Sequence, residues 1–470
     1  MPTPRIPDRH LPAPPVRELP APISLRRMIG PSIILAGLAV GSGEFVMWPQ
    51  LTVTHGFALF WACWIGVTVQ FFINMEIERW TLATGESAVT GFFRMHRVFG
   101  PVFLFCATLP WIWPGWATGA AELLVAETGG EKPAIVPVAI GGLVLAGIAL
   151  SLGPVVYRTV EMLSMILVAS IFAIVVVIAW QVVEMAHVRE MFAGAVQFGN
   201  IPDGVHMPTL FGAVAFAGAG GALNLAQSSY IRDKGYGMGR WVGRITSPLT
   251  GKPEDGGLVG AVFEGSESEL VRWRTWWRRT NLEHFFSFFL LCLVSLCLFS
   301  LVARALLGTG ADIGEGFSFI HEQGRVLEER FGAWARHAFL WGGVLVLFST
   351  EFALLDAVSR VAADAAKATW SRGLEAVPLS RIYFVTLWTL IGFGIVVLLL
   401  GFDKPLALLV MAATLNGFVM CLYSALLLVM NLRAFRGELR PHPVRLVVLG
   451  GACAFFGWFC VLTLIDKLGG

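Results

Sequence analysis

Long uninterrupted apolar runs dominate this 470-residue chain, and they leave few folds open. A helix needs about 20 mostly apolar residues to cross a bilayer, and about eleven stretches reach that length. Their approximate limits are 29–50, 57–79, 98–125, 134–152, 158–184, 209–231, 281–307, 336–366, 379–400, 405–431 and 444–466. In lipid each backbone N–H and C=O must be paired within the chain, so spans of this kind are helices. The sequence therefore predicts an all-α polytopic membrane protein, with a single transmembrane domain over 29–470. Composition agrees: 14% of residues are charged, where a soluble domain carries roughly 25%. Pro110, Pro114 and Gly129-Gly130 interrupt the third and fourth runs, and the eighth is longer than a span requires.

Basic residues mark one set of loops. The segment before the first run carries Arg5, Arg9, Arg17, Arg26 and Arg27, and the even-numbered runs are followed by further Lys and Arg, densest from Arg232 to Arg279. The intervening loops are acidic or mixed, as in Glu122, Glu127, Glu131 and Lys132, or Asp403 and Lys404. Basic loops stay on the cytoplasmic side, which predicts a cytoplasmic N-terminus in a bacterial inner (plasma) membrane. Residues 1–28 are Pro-rich, lack an apolar signal core and read as a disordered cytoplasmic tail. Residues 233–280 read as a cytoplasmic loop insertion, whose Val271–Arg279 stretch of Trp and Arg fits interfacial anchoring better than nucleic-acid contact. The seven cysteines lie in apolar runs without metal-type spacing and read as packing residues. His55, His187, His206, His321 and His337 fall at span ends. No P-loop, kinase or hydrolase motif is present, so an enzyme or an ATP-driven pump is not expected.

Two of the runs are broken by glycine. The first contains Gly41-Ser42-Gly43-Glu44 and the sixth Gly218-Ala219-Gly220-Gly221. Paired interruptions of this kind are the sequence mark of a transporter's mid-membrane binding site, and an intramembrane carboxylate is costly unless it serves a function. Three roles are open to Glu44: a cation ligand, a proton site, or a carboxylate capping the half-helix that follows an unwound Gly41–Gly43. Asn224 and Gln227 follow the second break and are placed in the same cavity. Glu351 and Asp356 are five residues apart in the eighth run, roughly 140° around a helix. They line the cavity as coupling groups or pair with Arg360; Asn416 in the tenth run joins the polar set. Asn74 and Glu76 also lie within the second run, and Glu76 and Glu78 are expected to pair with Arg79.

Several of these residues sit in recognisable surroundings. The layout from Gly30-Pro31 to Phe60-Trp61, the stretch Arg79-Trp80-Thr81-Leu82-Ala83-Thr84-Gly85, and Leu223-x-Leu225 followed by Ser228-Ser229 resemble the Nramp family of proton-coupled divalent-metal transporters. The resemblance implies a leucine-transporter-type fold: two inverted five-helix repeats, about 29–184 and 209–431, an extra helix at 444–466, and helices 1 and 6 unwound at mid-membrane. It also implies departures at the site. Where the family has Asp-Pro-Gly-Asn this chain has Gly41, Ser42, Gly43 and Glu44, and where it has Met-Pro-His-Asn the chain has Ala219, Gly220, Gly221 and Ala222. Its third-span acidic pair falls near Trp113 and Trp116. Loss of the thioether argues against the family's usual manganese and iron selectivity and for a harder divalent cation, such as Mg²⁺ or Mn²⁺.

The expected function is secondary transport of a divalent cation through a rebuilt site, with Glu44 as the candidate metal ligand and proton or sodium as the coupling ion. No permanent cofactor is expected; the partners are the bilayer and a small ion or small molecule. The alternative is an amino-acid or other organic-solute symporter, because Gly41-Ser42-Gly43-x-Phe45 is also similar to the Gly-Ser-Gly-x-Phe of amino-acid/polyamine/organocation transporters. A non-transporting sensor or scaffold is the third possibility.

Overall fold

The computed structural model describes residues 4–247, 249–251, 257–310, 316–371, 373 and 376–469. Among the described residues eleven helical passages follow one another. They are α1 (Pro31–His55), α2 (Phe60–Thr84), α3a (Phe99–Thr108) with α3b (Gly115–Glu127), α4 (Ile135–Leu152), α5 (Val156–Val182), and α6a (Met207–Ala215) with α6b (Leu223–Lys234). Then come α7 (Glu267–Leu307), α8 (Ala333–Thr369), α9 (Leu379–Leu399), α10 (Pro405–Ala434) and α11 (Pro443–Gly469). Among the described residues nine passages are long and apolar enough to cross a membrane in one piece. The other two, α3 and α6, are split where Pro110 and Pro114, and Gly218 to Gly221, interrupt the apolar runs. α8 is central, packing against α1, both pieces of α3, α5, α6b and α9.

Local chemistry sets the ends of these helices. Pro31, Pro208 and Pro405 occupy first-turn positions, where the missing N–H leaves no bond unmade. Gly85 ends α2 in the left-handed region at φ 69°, its N–H bonded to Thr81 O at 2.7 Å. α7 opens with a capping box: Ser266 Oγ accepts from Glu269 N, and the Glu269 carboxylate accepts from Ser266 N at 3.0 Å.

That box corrects the expected loop at 233–280. The helix begins at Glu267 and carries Val271–Arg279 as part of α7. Trp273 and Trp276 are buried, and Trp277 stacks on Trp273 and receives the guanidinium of Arg79 at 3.9 Å. Two of the three tryptophans therefore pack inside the protein instead of anchoring it in an interface.

The Pro-rich segment departs from expectation too. Residues 4–24 run as an extended strap across the basic face rather than a disordered tail. Proline-rich backbone leaves its carbonyls free, and donors from the folded domain take them up. Arg94 binds Pro7 O (2.8 Å), Leu11 O (3.2 Å) and Pro12 O (2.9 Å), and Trp276 Nε1 binds Pro20 O (2.8 Å). Val16 bridges Val262 in parallel, with Arg17 N bonded to Val262 O at 2.8 Å.

The opposite face holds a cavity of about 1000 Å³ between the end of α3b, the start of α4, the start of α6a, the Phe317–His321 turn and the start of α10. Its walls include Glu122, Lys132, Asp403 and Lys404, so the loops that differ in basic content lie on opposite faces.

Candidate substrate site between the α1 and α6 interruptions

In α1 the α-helical pattern stops at Ala39, but the chain does not open. Val40–Met47 is π-helical, and Trp48 N–H bonds back to Gly43 O. This wider turn keeps the backbone paired. Gly41 and Gly43 are close-approach points. A Cβ on Gly41 would lie 2.0 Å from Thr350 Oγ1, and one on Gly43 only 1.7 Å from the backbone oxygen of Phe216 in the α6 interruption. The side chain of Ser42 lies outside the described residues.

Glu44 is fully buried. It was expected in the first turn of a new half-helix, facing free N–H groups. Because the π-helix runs through, there is no new N-terminus at Glu44. Its carboxylate turns towards α7 instead, where it accepts from Ser295 Oγ and the Cys292 thiol. Glu44 Oε1 has no protein partner.

α6 is interrupted outright. Between Ala215 and Leu223 the chain leaves the helix, with Gly220 at φ 74° and Gly221 at φ 52°, conformations that suit glycine. Side chains complete the freed backbone. Gln70 of α2 donates to Ala215 O (3.1 Å) and accepts from Gly220 N (3.0 Å), while Asn416 Oδ1 of α10 accepts from Ala222 N (3.1 Å). Gly218 lies against Gln70, and a Cβ there would come within 2.7 Å of its Oε1. Asn224 Nδ2 donates to Gln70 Oε1 (3.2 Å) and to Tyr423 OH (3.0 Å), leaving Asn224 Oδ1 unpartnered. Asn74, one helical turn beyond Gln70, is fully buried with neither polar atom satisfied by protein. Phe216, inside the break, stacks on Trp111 (5.8 Å, 15°) and touches Trp116 (5.9 Å). The indole N–H groups of Trp111 and Trp116 have no protein partner.

Other expected residues fall elsewhere. Glu351 accepts the backbone N–H of Ala117, in the first turn of α3b, and leaves Oε2 unpartnered. Asp356 takes the ion-pair alternative. It binds Arg360 at 2.8 Å and Tyr383 OH at 2.7 Å, and Arg360 reaches across to Asp233 of α6b at 2.5 Å. Gln227 does not face the break; it donates to Ser32 Oγ of α1 (3.2 Å) and Glu78 Oε1 (2.8 Å). Glu76 does pair with Arg79 at 2.7 Å, but Glu78 meets Gln227 and His284 instead. Sequence reasoning missed Gln70, Tyr423, Ser295 and Thr350. Of these only Gln70 carried a signal, as a lone amide in an apolar run. Among the described residues no group of three or more His, Cys, Asp or Glu side chains is arranged to hold a metal ion.

The broken α6 against a π-helical α1, within ten helical passages and one extra, is a leucine-transporter-type fold, with two inverted five-helix repeats. The model of the family described as natural resistance-associated macrophage protein-like, Nramp, matches residues 33–466, and the chain belongs to that family. It is a transporter, not an enzyme. Among solved structures it is similar to a manganese transporter of Eremococcus coleocola in a glutamate-to-alanine variant. That match has TM-score 0.69 at 13% identity, covering 97% of this chain and 90% of the other. The same transporter in complex with an aromatic bis-isothiourea substituted compound gives 0.62 at 13% identity, over 97% and 94%. MHP1, a nucleobase-cation-symport-1 family transporter in a closed conformation, gives 0.52 at 12% identity, over 94% and 95%. No curated protein sequence matches the chain.

Proposed function

We propose that this chain is a secondary active transporter that moves a divalent metal cation, with proton or sodium coupling, through a non-standard site at the α6 break. The observation that carries the reading is the cluster of amide side chains at that break, in which Gln70 and Asn416 hold the backbone and an oxygen of Asn224 is left free. Asn74 lies a turn from Gln70 with nothing bound to it. Neutral oxygen donors suit hard cations, and Mg²⁺ in particular keeps several waters and asks for few charged ligands. Alanine at position 219 supplies no soft sulfur, which favours Mg²⁺ or Mn²⁺ over Cd²⁺. Glu44 of α1, buried with Oε1 unpartnered and its other oxygen bonded to Ser295 of α7, is the candidate carboxylate ligand. Membership of the Nramp family and the likeness to a manganese transporter support a metal cargo. Basic loops on the strap face support a cytoplasmic N-terminus in a bacterial inner membrane.

One observation favours a second reading, transport of an organic solute. Phe216 and Trp111 form a stacked pair at the break beside indole N–H groups with no partner, a surface that fits a flat polar ring. Uptake in proteoliposomes separates the two, with Mg²⁺, Mn²⁺, Cd²⁺ and a mixed amino-acid pool offered to wild type and Glu44→Gln. The expected result is Mg²⁺ or Mn²⁺ uptake by wild type and its loss in the variant, with yield and melting temperature unchanged. Metal uptake that survives Glu44→Gln removes Glu44 from the site. Organic uptake without metal uptake replaces the first reading by the second.

A further inference from the structure

A second polar cluster lies at the end of α1 remote from the cavity. Gln227 of α6b and Glu283 and His284 of α7 meet Ser32, the second residue of α1, Glu78 of α2 joins them through Gln227 and His284, and none of the five is more than 3% exposed. Ser32 Oγ donates to Glu283 Oε2 at 2.5 Å and lies 2.8 Å from His284 Nδ1. His284 Nδ1 is 3.1 Å from Glu78 Oε1, and Gln227 Nε2 donates to Ser32 Oγ and to Glu78 Oε1. The backbone N–H groups of Gly30 and Ser32 also bond Glu283. Four buried polar atoms of this group have no partner: Glu78 Oε2, Gln227 Oε1, Glu283 Oε1 and His284 Nε2.

The charges do not balance. Two carboxylates sit in one sealed hydrogen-bond network, and the nearby cations make their contacts with other carboxylates, though Arg445 also lies within electrostatic reach of Glu78. Arg79 and Arg445 hold Glu76 at 2.7 and 3.5 Å, Lys234 holds Glu161, and Arg360 holds Asp233. The remaining titratable groups within electrostatic reach, Tyr157 and Tyr236, are neutral phenols. Two buried like charges repel strongly unless a cation is shared between them. The side chains do not converge as metal ligands, but His284 Nδ1 already stands at hydrogen-bonding distance from Glu78 and Ser32. Its ring lies between Phe71 (5.6 Å, 24°) and Phe288 (4.8 Å, 16°), and aromatic faces favour a cation stacked on them.

We propose that Glu78, His284 and Glu283 form a proton-binding site that latches this end of α1. With the proton bound, His284 Nδ1 bridges to Glu78 directly and to Glu283 through Ser32. When the proton leaves to water, the two carboxylates repel and the first half of α1 is released. Two further ties at this end involve neither the carboxylates nor the imidazole: Tyr236 OH binds Met28 O, and Lys234 Nζ binds Ile29 O at 3.2 Å. The assignment does not depend on what the protein carries.

Hydrogen–deuterium exchange of the full chain in lipid nanodiscs tests it, followed by mass spectrometry of peptides spanning residues 28–39. Exchange is compared at about pH 5.5 and about pH 8, the range in which an imidazole titrates, after correction for the intrinsic rates. The expected result is about tenfold slower exchange of this segment at the acidic pH, the linkage of a one-unit shift in proton affinity. Glu283→Gln, Glu78→Gln and His284→Gln should each abolish that difference while α8 and α10 peptides exchange as in wild type. Ser32→Ala, expected to weaken the difference, serves where a carboxylate variant does not fold. A wild-type segment indifferent to pH overturns the proposal, as does a pH response that survives in the variants. Equal protection by Mg²⁺, Mn²⁺ or Na⁺ at the alkaline pH overturns the proton as ligand.

Discussion

In α1 the chain stays paired through Val40–Met47 by widening into a π-helix, whereas in α6 it leaves the helix after Ala215 and hands its polar groups to Gln70 and Asn416. The first interruption needs no outside donor or acceptor. It needs room, which Gly41 gives to Thr350 and Gly43 gives to the carbonyl of Phe216. The second needs partners, and it draws them from α2 and α10. Both obey the rule that backbone at membrane depth cannot be left unpaired. The difference is one of dependence: the π-helical stretch is paired within its own helix, while the α6 break relies on Gln70 and Asn416.

Three substitutions grade this contrast. Gly43→Ala has the largest expected effect. Its Cβ would sit 1.7 Å from a backbone oxygen that cannot rotate away, so α1 and α6 must separate, with a loss of about 3 kcal/mol or more. A fall in melting temperature in detergent and loss of uptake are the readouts. A stable, active Gly43→Ala protein would break the claim that close packing holds α1 at this point. Gln70→Leu comes next. It strands Gly220 N–H and Ala215 C=O in the interior, for a loss of about 2 kcal/mol. If Gln70→Leu cost less than Asn416→Ala, α10 rather than α2 would be the main support of the break. Asn416→Ala is the smallest of the three. It removes two bonds, the one Oδ1 accepts from Ala222 N and the one Nδ2 donates to Ala412 O within α10; only the first supports the break, worth about 1 kcal/mol, and it should show as a small shift in melting temperature with uptake reduced but present.

The helices were legible because an apolar run of about 20 residues has few alternatives, and the α6 break because Gly218 to Gly221 interrupts one of them. What faces what was not legible. Lipid and protein interior are equally apolar, so hydropathy does not tell the buried side of a span from its lipid side. Glu44 was found by its cost in lipid, but its direction, towards Ser295, depends on the π-helical turn and could not be read. Gln227 was assigned to the break by nearness in sequence, yet 195 residues separate it from Ser32, the hydroxyl it binds. The strap was misread because proline content marks both disorder and extended chain. What decides between them is a set of donors elsewhere, Arg94 and Trp276 among them.

The cavity's wall has a kinetic consequence. Glu122 and Asp403 are set among Lys132 and Lys404, so the mouth carries no excess of either sign. A mouth of one sign raises the local concentration of opposite charge and speeds capture, at the price of sensitivity to salt. This one gathers nothing. A charged solute enters the cavity at its bulk concentration, and its rate of entry is insensitive to salt.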